Sequence, residues 1–163
     1  MSYPILQPVL LASRKSCPRK GNYYLQAGDH HFRFSIQPHA GGWQNGWRQG
    51  VGANVPLIAV TGQAAADAVL PEQMSFCSTT ADNIMITALK KCEDDDQVVL
   101  RCVDMLGRDS QPRFEFFRPV IGAEQTNLIE EEGQPVPVQN GQFQLKVGHH
   151  AIETVKFQMQ QKN

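Results

Sequence analysis

The sequence has no long hydrophobic run and no excess of either charge. Its N-terminal segment, MSYPILQPVLLASRK, contains an apolar stretch that is too short for a secretory signal or a membrane-spanning helix. Fifteen basic residues stand against sixteen acidic ones, so the formal net charge is -1. No strong field therefore exists to attract nucleic acid or an anionic membrane. We expect neither as a partner, and we expect a cytoplasmic location.

Cysteine is also scarce, and its spacing excludes the common metal-binding patterns. The four cysteines are Cys17, Cys77, Cys92 and Cys102. They form no C-x-x-C pair and have no histidine at zinc-finger spacing, which argues against a structural metal site. Cys92 and Cys102 flank one predicted hairpin, but a tight turn would not place them opposite each other. Reduced thiols are expected.

The common catalytic motifs are missing as well. The sequence contains no G-x-S-x-G elbow, no Walker loop, no dinucleotide fingerprint and no H-E-x-x-H motif. The acidic runs Glu93 to Asp96 and Glu130 to Glu132 lie beside predicted turns, where solvated carboxylates are expected. Adjacent histidines on a strand, as in His30-His31 and His149-His150, point to opposite faces and cannot bind one ion together. We assign no catalytic residue, metal ligand or cofactor to this chain.

What the sequence does contain is a pattern of many short elements. Its 13 glycines, 10 prolines and 41% hydrophobic residues are typical of a globular protein with frequent turns. Phe32, Phe34 and Ile36 alternate with polar residues, which predicts a half-buried strand. Asn83 to Leu89 is apolar on both faces, which predicts a central strand. An acidic turn then connects this strand to Val98 to Val103 as a hairpin.

The remaining pattern is also that of strands and turns. Further strands are predicted around Phe114 to Phe117, Thr126 to Ile129, Phe143 to Val147 and Ile152 to Phe157. Asn140-Gly141 predicts a type I′ turn between Val138 and Phe143, because both central positions need positive φ. Four alanines between Gly62 and Leu70 favour one short helix. The predicted fold class is all-β, an antiparallel β-sandwich built from short strands with at most one short helix.

The candidate binding residues lie in the glycine-rich segment PHAGGWQNGWRQG, which has no periodicity and predicts a long shaped loop. Trp43 and Trp47 are four residues apart, and exposed indoles there can stack on a sugar ring. His39 and Arg48 can hydrogen-bond sugar hydroxyls. The alternative interpretation is structural: the indoles pack the loop against the protein or a neighbouring domain, and His39 braces the loop.

The segment NIMITALKKCEDDDQVVLR, Asn83 to Arg101, resembles the C-terminal region of family 38 glycoside hydrolases, the α-mannosidases. The matching residues are Thr87, Ala88, Leu89, Lys90, Lys91, Glu93, Asp94 and Arg101. FRFSIQPHAGGW upstream is similar to the family's strand and P-H-x-G loop, and Asn54-Val55-Pro56-Leu57 to the N-x-P-L that follows. TNLIEEEG and AIETVKF downstream are similar to the family's L-x-E segment and closing strand.

The resemblance covers about residues 5 to 158 and implies a division of the chain. Residues 1–70 are expected to be the tail of the large β-sandwich domain, and residues 71–163 the small C-terminal β domain. In such enzymes a catalytic barrel with zinc and an aspartate nucleophile performs the hydrolysis, and none of its motifs occurs here. The resemblance implies a non-catalytic domain of a retaining α-mannosidase, with the barrel as its partner and mannosides as ligands of the parent.

Two other functions remain open from the residues alone. One is an autonomous carbohydrate-binding module with Trp43 and Trp47 as its platform. The other is a purely structural sandwich used in adhesion or assembly, whose strand edges pair with another chain. Exposed, coplanar indoles favour the first, and concentration-dependent oligomers favour the second.

Overall fold

The structure is a computed structural model that describes residues 27–161, Pro8, Leu10 and the backbone of Arg14–Lys15 and Tyr23–Tyr24. Cys17 and the rest of the N-terminal segment lie outside the described residues. The chain forms two compact units, residues 1–59 and residues 60–163. Each unit has its own set of elements.

The first unit contains few regular elements. Strands β1 (Arg14–Lys15) and β2 (Tyr23–Tyr24) pair antiparallel. A 3-10 helix follows at Trp43–Asn45, and helix α1 spans Trp47–Asn54. The glycine-rich segment was predicted to be a loop, so the helix there corrects that prediction. The 3-10 helix that precedes α1 was not predicted from the sequence either.

Two predicted elements are absent from the described residues. Phe32, Phe34 and Ile36 form no strand and are 47%, 60% and 88% exposed, so the strand prediction was wrong. Alternation marks a face, but a strand also needs a neighbour to accept its hydrogen bonds. The helix expected between Gly62 and Leu70 was wrong as well, since only one turn, closed by Ala68 N–H and Ala65 O at 3.0 Å, forms there. Alanine propensity alone does not stabilise a helix this short.

The second unit is built of nine strands. They are β3 (Cys77–Thr79), β4 (Ile84–Lys91), β5 (Val98–Asp104), β6 (Arg113–Phe116), β7 (Val120–Thr126), β8 (Gln134–Pro135), β9 (Val138–Gln139), β10 (Gln142–Gln144) and β11 (Ile152–Met159). They form a four-stranded antiparallel sheet, β3-β6-β10-β9, and a five-stranded antiparallel sheet, β4-β5-β11-β7-β8. The predicted all-β sandwich is confirmed.

The hairpin predictions are confirmed in detail. The acidic turn joins β4 to β5, where Lys91 pairs with Val98. The Asn140-Gly141 turn joins β9 to β10, with φ of 53° at Asn140 and 73° at Gly141. Both left-handed positions are those that a type I′ turn requires.

Other strand predictions need correction. β4 lies at the edge of its sheet rather than at the centre. The strand expected at Thr126 to Ile129 was wrong, because β7 already ends at Thr126 and a turn follows. The strand at Phe143 to Val147 is confirmed only in part: β10 ends at Gln144, and Val147 forms an isolated bridge with Ser110.

The core lies between the two sheets of the second unit. Phe114, Phe116 and Phe143 come from the four-stranded sheet, and Phe157 comes from the five-stranded sheet. The rings of Phe116 and Phe157 have centroids 4.3 Å apart, and those of Phe143 and Phe157 are 5.6 Å apart. Leu100 and Val155, paired across β5 and β11, complete the same layer. These contacts hold the sheets face to face.

Candidate functional site

The candidate loop in the first unit is closed by its own hydrogen bonds. Asn45 Nδ2 donates to Ala40 O at 2.9 Å. Gly41 has a φ of +76°, and a Cβ there would lie 2.6 Å from Asn45 Nδ2. A glycine is needed at this position for both reasons. The segment before α1 is therefore held in a defined conformation by its own contacts.

His39 lies against the far side of this loop. Its Nδ1 is 3.3 Å from Ala40 O. Its Nε2 lies 2.6 Å from the position that a Cβ on residue 46 would occupy, so the imidazole packs over Gly46. These contacts agree with the loop-bracing interpretation of His39. Sugar binding by His39 stays a prediction.

The other three candidates lie on the two helical elements. Trp43 is 54% exposed on the 3-10 helix. Trp47, at the start of α1, is half-buried, and the Arg48 Cζ lies 4.5 Å from the centroid of its ring. A guanidinium at this distance is held by a cation–π interaction. The structure thus places His39, Trp43, Trp47 and Arg48 in one short stretch of the first unit, and their contact with a ligand stays a prediction.

A second set of polar contacts lies on the five-stranded sheet, on the face opposite the core. Because Leu100 and Val155 face the core, their neighbours Arg101 and Thr154 face away from it. Arg101 Nε donates to Thr154 Oγ1 at 3.2 Å, and Arg101 Nη2 donates to Leu128 O at 2.8 Å. Arg101 therefore attaches the turn after β7 to the sheet.

Glu130 attaches the same turn at a second point. It is only 6% exposed, and its carboxylate lies 2.7 Å from Lys90 Nζ and accepts Glu93 N–H at 3.0 Å. The hydrogen bond from Lys90 and then that from Glu93 N–H hold the pKa of Glu130 at about 2, below its usual 4.5. The prediction that this carboxylate belongs to a solvated turn was wrong. We call Lys90, Arg101 and Glu130 the outer-face clamp.

The turn held by the outer-face clamp is itself tightly closed. Asn127 Oδ1 accepts the N–H groups of Ile129 and Glu131, each at 3.0 Å. Glu130 has a φ of 69°, which costs a non-glycine residue free energy that the surrounding contacts must offset. The turn directs Leu128 and Ile129 outward, where they are 56% and 69% exposed. The clamp thus presents two apolar side chains on a rigid support.

A buried carboxylate organises the far end of β5. Asp104 accepts the side-chain amide of Asn83 at 2.7 Å and the N–H groups of Leu106, Arg108 and His150 at 3.1, 2.9 and 2.8 Å. Burial by itself would raise the pKa of Asp104, but these donors together hold it well below the usual range. Asp104 and Asn83 therefore act as a structural connector between three loops.

Three cysteines lie within the described residues. Cys77, Cys92 and Cys102 are free thiols, and burial raises the pKa of Cys77 to about 11 and that of Cys102 to about 12. Within residues 27–161 and the few described positions before them, no group of three or more His, Cys, Asp or Glu side chains is arranged to hold a metal. Among those same residues, no helix has the length and apolar character needed to cross a bilayer.

One stretch of the second unit matches a known domain family. Residues 83–155 match the family model for the glycosyl hydrolases family 38 C-terminal beta sandwich domain. A comparison with curated proteins finds no match. The domain so identified begins at Asn83 in the Asp104 connector and ends at Val155 in the core, and it contains all of the outer-face clamp.

The structure also shows the contacts of the residues that carry the resemblance. Lys90 and Arg101, both in the segment that carries the resemblance, form the outer-face clamp with Glu130 of the TNLIEEEG segment. Thr87 Oγ1 donates to Arg101 O at 3.2 Å, at the bulge between Ile86 and Ala88. Sequence reasoning did not connect these segments. The available signal was that a basic pair, Lys90-Lys91, and an acidic run, Glu130 to Glu132, both lie in segments that carry the resemblance.

Proposed function

We propose that the chain is a non-catalytic part of a retaining α-mannosidase, in which the family 38 sandwich supports the catalytic barrel. The observation that carries the proposal is the family match at residues 83–155, together with a rigid support for exposed apolar side chains. Leu128, Ile129 and Ile152 lie together beside one shallow cavity and are each more than half exposed. Exposed apolar groups on a well-ordered turn are typical of a contact surface between domains.

The hydrolytic chemistry belongs, in this proposal, to the barrel. Zinc is held there and not by this chain, whose described residues offer no set of ligands. The role of this chain is to cover the barrel, and His39, Trp43, Trp47 and Arg48 contribute to the rim of the mannoside site. In keeping with the proposed division, residues 1–70 continue a larger β-sandwich and residues 71–163 form the small β domain. A cytoplasmic location is part of the proposal.

The test is reconstitution with the zinc-loaded barrel of an α-mannosidase from the same source. The 163-residue chain alone should release no mannose from a chromogenic α-mannoside. Added to the barrel, the chain should lengthen the half-life of the barrel's activity on heating. Hydrolysis by the chain alone, or no effect of the chain on the barrel, would contradict the proposal.

A matched pair of variants locates the contact. Ile129→Ser removes an exposed apolar side chain from the clamped turn, and Val69→Ser removes one that is 77% exposed outside it. The Ile129→Ser chain should protect the barrel less well than the unaltered chain, whereas the Val69→Ser chain should protect it fully. Equal loss in both variants would show that the clamped turn is not the contact surface.

A second function is favoured by one observation, the exposure of Trp43. An indole that is 54% exposed beside the Trp47–Arg48 pair is a suitable platform for a sugar ring. Titrating mannose and short α-mannosides into the chain while following tryptophan fluorescence and free sugar tests it. Saturable quenching without hydrolysis, lost in Trp43→Ala, would favour an autonomous carbohydrate-binding module.

A further inference from the structure

A polar groove lies at one end of the five-stranded sheet, away from the outer-face clamp and formed by none of His39, Trp43, Trp47 and Arg48. It has a volume of about 580 Å³ and runs between the start of β5, the start of β7 and the end of β11. This volume is within the range of roughly 300–1,000 Å³ in which small-molecule sites fall. The groove is thus large enough for one or two sugar-sized rings.

Gly122 forms an open place in the floor of the groove. It pairs with Gln158 across β7 and β11, next to the bulge between Gln158 and Met159. A Cβ on residue 122 would meet no atom within 4 Å. Nearly every other residue type would place a side chain in this space. The groove therefore owes part of its depth to a single missing side chain.

The rim of the groove carries several side-chain amide groups. Gln97, Gln158, Gln160 and Gln161 all line it. Within the described part of the chain, the side chains of Gln158, Gln160 and Gln161 form no hydrogen bond to another residue. Each primary amide presents two donors and one acceptor oxygen. These groups match ligands whose own groups both donate and accept, above all hydroxyls.

The rim is held in place by contacts outside the groove. Gln160 N–H donates to Pro119 O at 2.8 Å, which attaches the end of β11 to the turn before β7. The Arg118 Cζ lies 5.2 Å from the centroid of the Phe117 ring, so the guanidinium rests on an aromatic face. A rim with restrained backbone loses less entropy on binding than a mobile one.

The charges of the groove favour an uncharged ligand. Asp96 lies 2.8 Å from Lys91 Nζ, and Glu124 lies 3.2 Å from Lys156 Nζ. The two carboxylates are therefore balanced by cations, yet they would still oppose an anionic ligand that approached closely. Arg118 would oppose a cationic one. A neutral polyhydroxylated molecule meets no such opposition and can accept hydrogen bonds from Arg118.

We propose that this groove, here called the amide groove, binds a neutral carbohydrate through Arg118, Gln158, Gln160 and Gln161 over the open floor at Gly122. The site lies in the second unit, where three of its glutamines follow the residues that match the family model, and it is distinct from the His39–Arg48 stretch of the first unit. It does not rest on the α-mannosidase proposal, since a sugar can bind here whether or not the chain supports a catalytic barrel.

The test is a titration of the whole 15N-labelled chain, followed by NMR of its backbone and glutamine side-chain amides. The probes are methyl α-mannopyranoside, methyl α-glucopyranoside and triglycine. A glycoside should shift saturably the signals of Arg118, Gly122, Gln158, Gln160 and Gln161 in the millimolar range. Triglycine carries charged ends and no hydroxyls, and it should not shift them.

A matched pair of glycine variants makes the assignment specific. Gly122→Val fills the floor of the groove with a residue that suits a strand, and its Cβ enters open space. Gly62→Val makes the same change at another glycine with no atom within 4 Å, outside the groove. We expect glycoside affinity to fall at least about tenfold in Gly122→Val and to stay unchanged in Gly62→Val.

Each of the following results would contradict carbohydrate binding in the amide groove. Shifts of equal size in Gly122→Val would place the sugar elsewhere. A response lost in Trp43→Ala and retained in Gly122→Val would assign binding to the first unit. Shifts with triglycine alone would identify a peptide site, and no shifts with either glycoside would exclude carbohydrate binding here. None of these results depends on whether the chain protects a barrel, so the two proposals fail separately.

Discussion

Alternating apolar residues are buried in the second unit of this chain but exposed in the first. In the second unit, Phe143, Leu145 and Val147 alternate with polar residues and are buried, as are Val155 and Phe157 on β11. In the first unit, Phe32, Phe34 and Ile36 alternate just as regularly and remain exposed. Among the described residues of the first unit, none is fully buried. An apolar face becomes a core only where another layer covers it.

The difference has a direct thermodynamic meaning. Removing apolar surface from water stabilises by roughly 25 cal/mol per Å², so only the second unit gains substantially from its own apolar residues. The first unit is organised instead by local hydrogen bonds such as that from Asn45 to Ala40. Truncating an apolar side chain should therefore lower the free energy of unfolding much more in the second unit than in the first.

The largest effect is expected from a paired truncation of two phenylalanines. Phe157→Ala leaves a cavity between the sheets and should lower the free energy of unfolding by about 3–5 kcal/mol. Phe34→Ala, in the first unit, should change it by less than about 0.5 kcal/mol because the side chain is exposed. Urea denaturation followed by far-ultraviolet circular dichroism measures both. Similar losses would mean that Phe34 is buried and that the contrast between the units is false.

A smaller loss is expected at the Asp104 connector. Asp104→Asn keeps the shape of the side chain but replaces one acceptor oxygen with an NH2 group that faces N–H donors, which should cost about 1–3 kcal/mol. Asp109→Asn alters an exposed carboxylate that accepts from His149, and should cost much less. Thermal unfolding compares the two variants. Equal thermal midpoints in the two variants would show that the Asp104 connector does not stabilise the fold.

Acid should weaken the second unit through the outer-face clamp. The pKa of Glu130 is lowered to about 2 from 4.5 in the folded chain, so its stabilising contribution is complete above about pH 4.5. That contribution is lost as the pH falls from there towards 2. The lowered pKa of Asp104 acts in the same direction.

The matching experiment measures the urea midpoint from neutral pH to about pH 3. Glu130→Gln should have a lower urea midpoint than the unaltered chain at neutral pH. The difference between the two midpoints should become smaller as the pH falls. Glu131→Gln, at the exposed neighbour, should follow the unaltered chain throughout. A gap that stays constant with pH would show that Glu130 contributes no ionic stabilisation.

The smallest effect is expected in the first unit. Gly46→Ala places a Cβ 2.6 Å from His39 Nε2, so the imidazole must move away from the loop. Gly50→Ala enters open space within α1 and should strengthen the helix by roughly 0.5–1 kcal/mol. Tryptophan emission, which reports this unit alone, should shift in the first variant only. A shift in neither would mean that His39 does not brace the loop near Trp43.

Strands could be predicted from the sequence where a strand pairs with a segment that lies close to it along the chain. The Asn140-Gly141 turn and the hairpin of β4 and β5 depend on neighbours close in sequence, and both were predicted correctly. β7 was missed because its sequence, VIGAEQT, loses its apolar alternation at Gly122 and Glu124. Its strand character comes from pairing with β11, some thirty residues later.

The sandwich class, the main hairpins and the family resemblance could be predicted from the sequence, because local turn chemistry and alternating apolar residues carry that information. Three features became visible only in the folded protein: Glu130 is buried against Lys90, Asp104 accepts hydrogen bonds from three loops, and Phe32 to Ile36 forms no strand. These outcomes depend on which distant segments meet, and the free energy of a buried charge or an apolar face is set by its neighbours rather than by its own residue type.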